Sequence, residues 1–206
     1  MTEDLHRAHP TLARYFRILG IGPKDIEGIR VLDVGAGALY FAQEAVYAYN
    51  AEVYSCEPDL GAARARYGRF ANAQSMGGLL PKLKQSWEIA LSRVYEGCAE
   101  ALPYEDNTFG LVVSCYALPG LLQDETAMQK GLSEPWRVTA SGGRIIMAPM
   151  LFPRTPAEER VRILEGLFRF RTSLPQDTEW QVTEYIDSDV ITGRPITLLR
   201  LCVRKS

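Results

Sequence analysis

The chain has 206 residues, of which 47% are hydrophobic, and a formal net charge of −2. This length predicts one globular domain with a sizeable core, and the near-neutral charge gives no general reason to bind nucleic acid or a membrane surface. No apolar run approaches membrane-spanning length, and the N-terminal M-T-E-D-L-H-R lacks a signal-peptide pattern. Four widely spaced cysteines without a Cys/His cluster predict a cytoplasmic protein with reduced thiols and no metal.

A helical pattern opens the chain, followed by the stretch that organises it. Apolar residues at positions 12, 15, 16 and 19 predict a helix over 11–19. Residues 30–37, R-V-L-D-V-G-A-G, are typical of a buried strand that runs into a tight glycine turn, and 39–49 can form a helix behind it. Asp33 lies inside this buried strand. Because an isolated buried carboxylate is costly, we expect a positive or hydrogen-bond-donating partner beside it.

Strands and helices then continue to alternate. The predicted strands cover 52–56, 93–95, 110–116 and 144–148, and the predicted helices cover 62–70, 79–91 and a segment that begins at 125. Residues 71–92 look like a helical insertion between the second and third strands. Ser141-Gly142-Gly143 predicts a turn before the strand at 144.

The C-terminal part adds a helix over 157–170 and two alternating segments, 180–186 and 196–203. These two segments predict an antiparallel pair joined through Thr192-Gly193-Arg194-Pro195. The whole chain, 1–206, therefore predicts a single α/β domain. We expect a doubly wound, mostly parallel seven-stranded sheet with one antiparallel edge strand and helices on both faces. Ligands of such sheets bind at the carboxyl ends of the strands, where the strand order reverses.

A carboxylate follows the glycine turn at a distance that suggests a nucleoside ligand. Glu57 lies 20 residues after Gly37, at the end of the second strand, where it can accept hydrogen bonds from ribose hydroxyls. A plain glycine turn and a solvated strand-end acid remain the alternatives. Tyr40 occupies the position where a dinucleotide fingerprint has Gly or Ala, which disfavours a dinucleotide.

Four ordered segments resemble a known family. They are V-L-D-V-G-A-G, C-E-P-D, E-G-C-A-E-A-L-P-Y-E-D-N-T-F-G-L-V-V-S and E-P-W-R-V-T-A-S-G-G-R-I-I-M, which together span about 28–150. In this order and spacing they are similar to class I S-adenosylmethionine-dependent methyltransferases, nearest to the subgroup with small-molecule and quinone-biosynthesis enzymes. The resemblance implies a Rossmann-like fold, S-adenosylmethionine as cofactor and S-adenosylhomocysteine as product.

The resemblance also implies which residues bind the cofactor. Asp33 would reach the amino group of the methionine part, Glu57 would hold the ribose, and Cys98 would lie at the adenine. The implied cofactor-binding set is Asp33, Gly35, Ala36, Gly37, Tyr40, Glu57, Pro58, Cys98, Ala99, Glu100 and Ser114, with Leu102 packing on the adenine face. Ser114 to Tyr116 would face the methyl group and the substrate.

Three positions depart from the family pattern. The family usually has Asp where this chain has Cys98 and Gly110, and often has a third glycine where it has Leu39. A thiol is a poor acceptor for the adenine amine, so Cys98 puts this contact in question. Gly110 and Leu39 are compatible with structural variation.

Methyl transfer from a sulfonium requires alignment and the exclusion of water, and it needs a general base only if the acceptor loses a proton early. The candidates for a base or a substrate contact are Tyr116 and the two histidines, His6 and His9. Both histidines lie in the N-terminal segment, 1–27, which in the family often folds over the pocket as a lid. Tyr15 is a candidate substrate contact, with core packing as its alternative.

Three hypotheses follow. The first is a cytoplasmic methyltransferase that acts on a small molecule, and the second is a regulatory protein that binds S-adenosylmethionine or S-adenosylhomocysteine without turnover. The third, a nicotinamide-dependent oxidoreductase, is disfavoured by Tyr40. Arginines cluster in two predicted helices, at 64, 66 and 69 and at 160, 162, 169 and 171, where solvated faces are favoured over a nucleic-acid site. The acceptor, the methylated atom and the oligomeric state stay open.

Overall fold

A computed structural model describes residues 12–71, 80–151, 155–188 and 194–206. Within these residues the chain forms one sheet flanked by helices. The strands are β1 (Arg30–Val34), β2 (Glu52–Glu57), β3 (Val94–Glu96), β4 (Phe109–Cys115), β5 (Thr139–Ala148), β6 (Glu179–Ser188) and β7 (Pro195–Arg204). The helices are α1 (Leu12–Leu19), α2 (Tyr40–Tyr49), α3 (Gly61–Ala71), α4 (Leu80–Ser92), α5 (Glu125–Val138) and α6 (Ala157–Ser173).

The sheet has seven strands in the order β3-β2-β1-β4-β5-β7-β6. Strands β1 to β5 pair in parallel, while β7 runs antiparallel to both of its neighbours, β5 and β6. This confirms the predicted mostly parallel, Rossmann-like sheet, with the antiparallel pairs gathered at one edge. The strand that opposes the rest, β7, lies second from that edge and β6 is outermost. The strand order reverses between β1 and β4, so the expected ligand-binding crevice lies at their carboxyl ends.

Both faces of the sheet are covered, which explains why its central strands are apolar without alternation. Val31 packs in a core cluster with α1 and α2, whereas its neighbours Leu32 and Val34 pack on the opposite face with α5 and α6. A third cluster joins the start of α2 to α3 and α4 around the fully buried Trp87. Asp33 shares the face of Val31, beneath α1 and α2.

The glycines predicted as a turn before β5 lie within the strand as a bulge. Thr139 pairs with Phe109 and Arg144 pairs with Leu111, so residues 140–143 bulge out opposite a single residue of β4. Gly142 has a φ of +75°, which a residue with a side chain rarely adopts. β5 therefore begins at Thr139 and not at the predicted residue 144, because residues on both sides of the bulge pair with β4.

The inserted helix predicted at 79–91 is α4, and it is part of the core. Its Ser86 accepts a hydrogen bond from Gln43 of α2 at 2.9 Å, in a buried position. The loop predicted at 71–78 lies almost entirely outside the described residues, as do the first two residues of the predicted 192–195 turn. Among the described helices, none combines the length and the apolar content needed to cross a membrane.

Candidate functional site

The glycine turn (35–37) follows β1 and packs closely against the loop after β4. Gly35 has a φ of +74°, and its backbone N–H donates to the carbonyl oxygen of Cys56 in β2 at 2.8 Å. A Cβ at Gly35 would lie 2.2 Å from the Cβ of Ala117. Only glycine therefore lets the turn approach both β2 and the loop after β4.

The second half of the turn is more open. Gly37 also has a positive φ, +53°, yet a Cβ there would meet no atom within 4 Å. Leu39, at the position of the family's third glycine, has a φ of +57° and is fully buried in the cluster around Trp87. The left-handed backbone explains why glycine suits this position, and burial of the Leu39 side chain provides a compensating gain.

Glu57 is fixed by the glycine turn that it follows in sequence. Its Oε2 accepts from the backbone N–H of Gly37 at 2.7 Å, and its Oε1 accepts from the N–H of Asp59 at 3.2 Å. Each carboxylate oxygen has a second lone pair for a ligand hydroxyl. The glycine turn thus orients the Glu57 carboxylate, whose remaining lone pairs can accept from a ligand hydroxyl. Pro58, between the two, is exposed.

Asp33 is the most unusual group of the site. It is fully buried, and neither of its carboxylate oxygens has a hydrogen-bond partner among the described residues. Burial raises the pKa of Asp33 to about 8, and the nearby Glu57 carboxylate contributes to the rise. The described residues thus do not supply the positive or hydrogen-bond-donating partner that the sequence predicted for Asp33. A cationic ligand group fits here, and the ammonium of S-adenosylmethionine is one.

The loop predicted to hold the adenine presents a mixed surface. Leu102 and Ala99 are buried, at 5% and 9% exposure, Glu100 is half-buried, and Cys98 is exposed. The two apolar residues suit an adenine face. The exposed thiol of Cys98 adds no strong acceptor for the adenine amine.

Arg137 of α5 holds this loop in place. Its guanidinium donates to the carbonyl oxygens of Leu102 at 3.0 Å and Tyr104 at 2.7 Å, and it forms an ion pair with Glu134 at 2.7 Å. Glu134 in turn accepts from the N–H of Leu102 at 3.0 Å. Sequence reasoning missed this clamp, although both residues lie in the E-P-W-R segment that carries the resemblance.

Ser114 and Tyr40 have structural contacts of their own. The hydroxyl of Ser114 donates to the carbonyl oxygen of Val34 and accepts from the N–H of Leu118, both at 2.9 Å, and it is buried. It fastens β1 to the loop after β4, so its oxygen is already committed to the backbone. Tyr40 begins α2 half-buried, with the Arg66 guanidinium carbon 3.6 Å from its ring centre.

Tyr116 belongs to a polar cluster that joins α1, the residue after β4 and the edge strand β6. We name it the Asp187 cluster (Arg14, Arg17, Tyr116, Asp187). The Tyr116 hydroxyl donates to Oδ2 of Asp187 at 2.7 Å. Arg14 contacts the same oxygen at 2.9 Å, and Arg17 contacts Oδ1 at 2.7 Å. Asp187 is only 2% exposed. No sequence signal linked this acid of β6 to α1 or β4.

The cluster sets the protonation of its members. Burial, followed by the hydrogen bond to Asp187, raises the pKa of Tyr116 above its ordinary value. Burial alone would raise the pKa of Asp187, but hydrogen bonds from Tyr116 and Arg14 outweigh it and lower that pKa. Tyr116 therefore stays protonated at neutral pH and is poorly suited to act as a base. Its φ of +62° places it in the left-handed region.

The remaining candidates lie in the N-terminal segment. Tyr15 is 5% exposed and stacks on Phe41 of α2 with ring centres 5.1 Å apart, which is the core packing considered as its alternative. Burial, then the charge of Asp33, raises its pKa well above the ordinary value. His6 and His9 lie outside the described residues. Across the ranges that are described, no group of three or more His, Cys, Asp or Glu side chains could hold a metal ion.

Comparisons with known proteins identify the family and the fold of this chain. A family model described as a methyltransferase domain matches residues 32–147. Among solved structures, a SAM-dependent methyltransferase from Methanosarcina mazei is 16% identical, with 87% of this chain and 93% of that chain covered and a TM-score of 0.57. One from Aquifex aeolicus is 14% identical over 100% and 98%, with a TM-score of 0.55.

A third similar structure is a geranyl diphosphate methyltransferase in complex with GPP and sinefungin, 14% identical over 95% of this chain and 76% of that chain, with a TM-score of 0.57. The search of curated protein sequences gave no match. At these identities the structural likeness shows the fold, while the family model spans the glycine turn, the Glu57 strand end, the adenine loop and most of β5. The chain therefore belongs to the methyltransferase-domain family, and its cofactor is S-adenosylmethionine.

Proposed function

We propose that this protein transfers a methyl group from S-adenosylmethionine to a small-molecule acceptor by in-line displacement. The observation that carries the proposal is Asp33, which is buried without a hydrogen-bond partner among the described residues and lies beside the glycine turn that Glu57 contacts. The cofactor supplies the electrophilic methyl group on its sulfonium. The protein's own residues bind, orient and exclude water.

Each part of the site has a defined task in this proposal. Asp33 ionises as it receives the cofactor ammonium, because an adjacent cation favours the charged carboxylate. Glu57 accepts the ribose hydroxyls with the lone pairs not used by the turn. Ala99 and Leu102 pack against the adenine, and the Arg137 clamp keeps their loop in position before the ligand arrives.

The acceptor is placed between α1 and the carboxyl end of β4, next to the Asp187 cluster. Tyr116 borders this region, and its half-buried ring suits a small, partly apolar molecule. A net charge of −2 does not favour nucleic acid as the acceptor. The fold also serves a geranyl diphosphate methyltransferase, which is compatible with a small acceptor.

The described residues do not offer a well-tuned general base. Tyr116 is held protonated, and the carboxylate of Asp187 is occupied by one hydroxyl and two guanidinium groups. The proposed acceptor is therefore nucleophilic without prior loss of a proton, or it uses His6 or His9 of the N-terminal segment.

A second candidate function keeps cofactor binding without turnover. It is motivated by Cys98, which stands where the family usually has Asp, and by the lack of histidines and of a tuned general base among the described residues. Membership in the methyltransferase family removes the support for the nicotinamide hypothesis.

Calorimetry followed by turnover measurements separates these functions. We expect S-adenosylmethionine and S-adenosylhomocysteine to bind and NAD not to bind. Glu57→Ala should weaken binding by about 1.5–3 kcal/mol, the range for hydrogen bonds to a charged group. Release of S-adenosylhomocysteine with members of a small-molecule panel supports the enzyme, whereas tight binding without release across the panel supports the regulatory protein. Unchanged affinity in folded Glu57→Ala would remove Glu57 from the site.

A further inference from the structure

Helix α6 has two apolar faces, and the described residues cover one of them. Ile163, Leu167 and Phe170 are buried in the core cluster shared with α5 and the sheet. On the outer face Val161, Leu164 and Phe168 stay 54%, 48% and 67% exposed. Three large apolar side chains on one solvent-facing helix face favour a partner.

The outer face has the spacing of a helix-pairing seam. Steps of three and four residues from Val161 to Leu164 to Phe168 place these side chains in one row along the helix. Arg160 borders the row on one side, and Glu165 borders it on the other, and both are exposed. In a heptad that starts at Val161, these two occupy the flanking positions that form ion pairs between parallel helices. Arg160 also donates to the carbonyl oxygen of Thr155 at 2.8 Å, which supports its side chain near the helix start.

The apolar surface continues onto the edge strand. Trp180 of β6 packs against Phe170 of α6 with ring centres 6.2 Å apart, so its face of β6 is the face that α6 covers. Val182 and Ile186 share that face by the two-residue alternation of a strand, and they are 45% and 65% exposed. The edge strand β6 thus carries further exposed apolar side chains on the same side of the sheet as α6.

We propose that the outer face of α6 is a dimer interface, in which two copies of this chain pair through parallel α6 helices across a two-fold axis. A two-fold axis along the helices brings the Arg160 side of one helix to the Glu165 side of the other, and the reverse contact forms by symmetry. An antiparallel pair would instead place each arginine side opposite the same side of its partner. The self-complementary charge is what selects a second copy as the occupant.

Sedimentation and light scattering over about 1–100 µM, where small interfaces associate, test the pairing. The wild type should approach twice the 23.0 kDa mass of the chain as its concentration rises. Phe168→Glu should remain at the mass of one chain. Gln85→Glu puts the same side chain on an exposed position of α4, across the sheet from α6, and should associate like the wild type. Thermal unfolding and S-adenosylhomocysteine binding establish that each variant is folded.

A charge exchange tests the orientation. Arg160→Glu and Glu165→Arg should each weaken association by about tenfold, because each turns two symmetric attractions into repulsions. The double variant should recover most of the wild-type affinity. A wild type that stays monomeric throughout, a Phe168→Glu variant that associates normally, or a double variant as weak as the singles would overturn the proposed parallel interface. This pairing does not depend on the proposed function.

Discussion

The cofactor side of the protein (Asp33, the glycine turn, Glu57 and the loop at 98–102) differs from the Asp187 cluster in how far apart its contacting residues lie in sequence. Glu57 and Gly37, which are hydrogen-bonded, are 20 residues apart, whereas Arg14 and Asp187 are 173 residues apart. The first contact joins neighbouring parallel strands through a short α/β unit. The second joins α1 to the edge strand β6. The cofactor side is thus formed by segments close in sequence, so its residues can be recognised by their spacing. The Asp187 cluster forms only when β6 has joined the sheet. The two sides should respond differently to substitution.

The largest effect is expected where the two sides touch, at Gly35. In Gly35→Val the new Cβ would meet Ala117, and a branched residue would be forced to a φ of +74°. We expect a loss of about 2–5 kcal/mol in the free energy of unfolding by urea, from overpacking and backbone strain together. Gly37→Val is the control, because it carries the strain without the collision. Equal losses in the two variants would show that the contact with Ala117 yields easily.

Asp33→Asn tests the buried carboxyl of the cofactor side. The folded-state pKa of Asp33 is raised from 3.8 to about 8, so the folded protein binds the proton more tightly than the unfolded chain does. The wild type should lose stability as the pH rises between these two values, and the asparagine variant should not. The free energy of unfolding of Asp33→Asn minus that of the wild type should therefore rise by about 4 kcal/mol between about pH 5 and about pH 9.

The same variant should bind the cofactor more weakly. At pH 7, wild-type binding of S-adenosylmethionine should release a proton as Asp33 ionises, which calorimetry in buffers of different ionisation enthalpy detects. This signal should vanish in Asp33→Asn. Proton release that persists in the variant would assign the titration to another group.

Asp187→Asn sharpens the contrast between the two sides. The variant leaves Arg14, Arg17 and Tyr116 without their shared carboxylate, and we expect it to lose about 1–3 kcal/mol of stability. Because the folded-state pKa of Asp187 is lowered, the wild-type advantage should be present at neutral pH and disappear as the pH falls. Affinity for S-adenosylhomocysteine should hardly change. Glu134→Gln loosens the loop at 98–102 and should weaken S-adenosylhomocysteine binding more than it lowers stability. Equal losses of affinity in Asp187→Asn and Glu134→Gln would contradict the distinction between the cofactor side and the Asp187 cluster.

The native thiol of Cys98 is expected to contribute least to cofactor binding, because it is only a weak acceptor. Cys98→Asp should tighten S-adenosylhomocysteine binding, by up to about 1.5–3 kcal/mol if the carboxylate reaches the adenine amine. Its exposed position removes most of the burial cost. Cys98→Ser should change little. A bulky side chain that formed the adenine wall would instead make Cys98→Asp weaken binding; of the two candidates, Trp87 is fully buried with Leu39, and Tyr104 packs edge-on against Phe109. A tenfold loss with Asp would refute this account.

The sequence was informative wherever function depends on neighbours in the chain. The apolar run and glycines around Asp33 predicted strand, turn and helix, and the next segment predicted a carboxylate, Glu57, at the end of the second strand. That the described residues give Asp33 no hydrogen-bond partner could not be predicted, because it depends on which groups the folded chain brings next to it. The place of β7 inside the sheet and the pairing of Asp187 with α1 depend on long-range packing, which residue spacing does not encode.

The position of β7 between β5 and β6 has a consequence for biosynthesis. During translation β1 to β5 can pair as they leave the ribosome, because each binds a strand already made or soon to follow. β6 emerges next but has no neighbour in the sheet until residues 195–204 are available to bridge it to β5. A nascent chain is therefore expected to form the crevice at the carboxyl ends of β1 and β4 before Arg14, Arg17 and Tyr116 can contact Asp187.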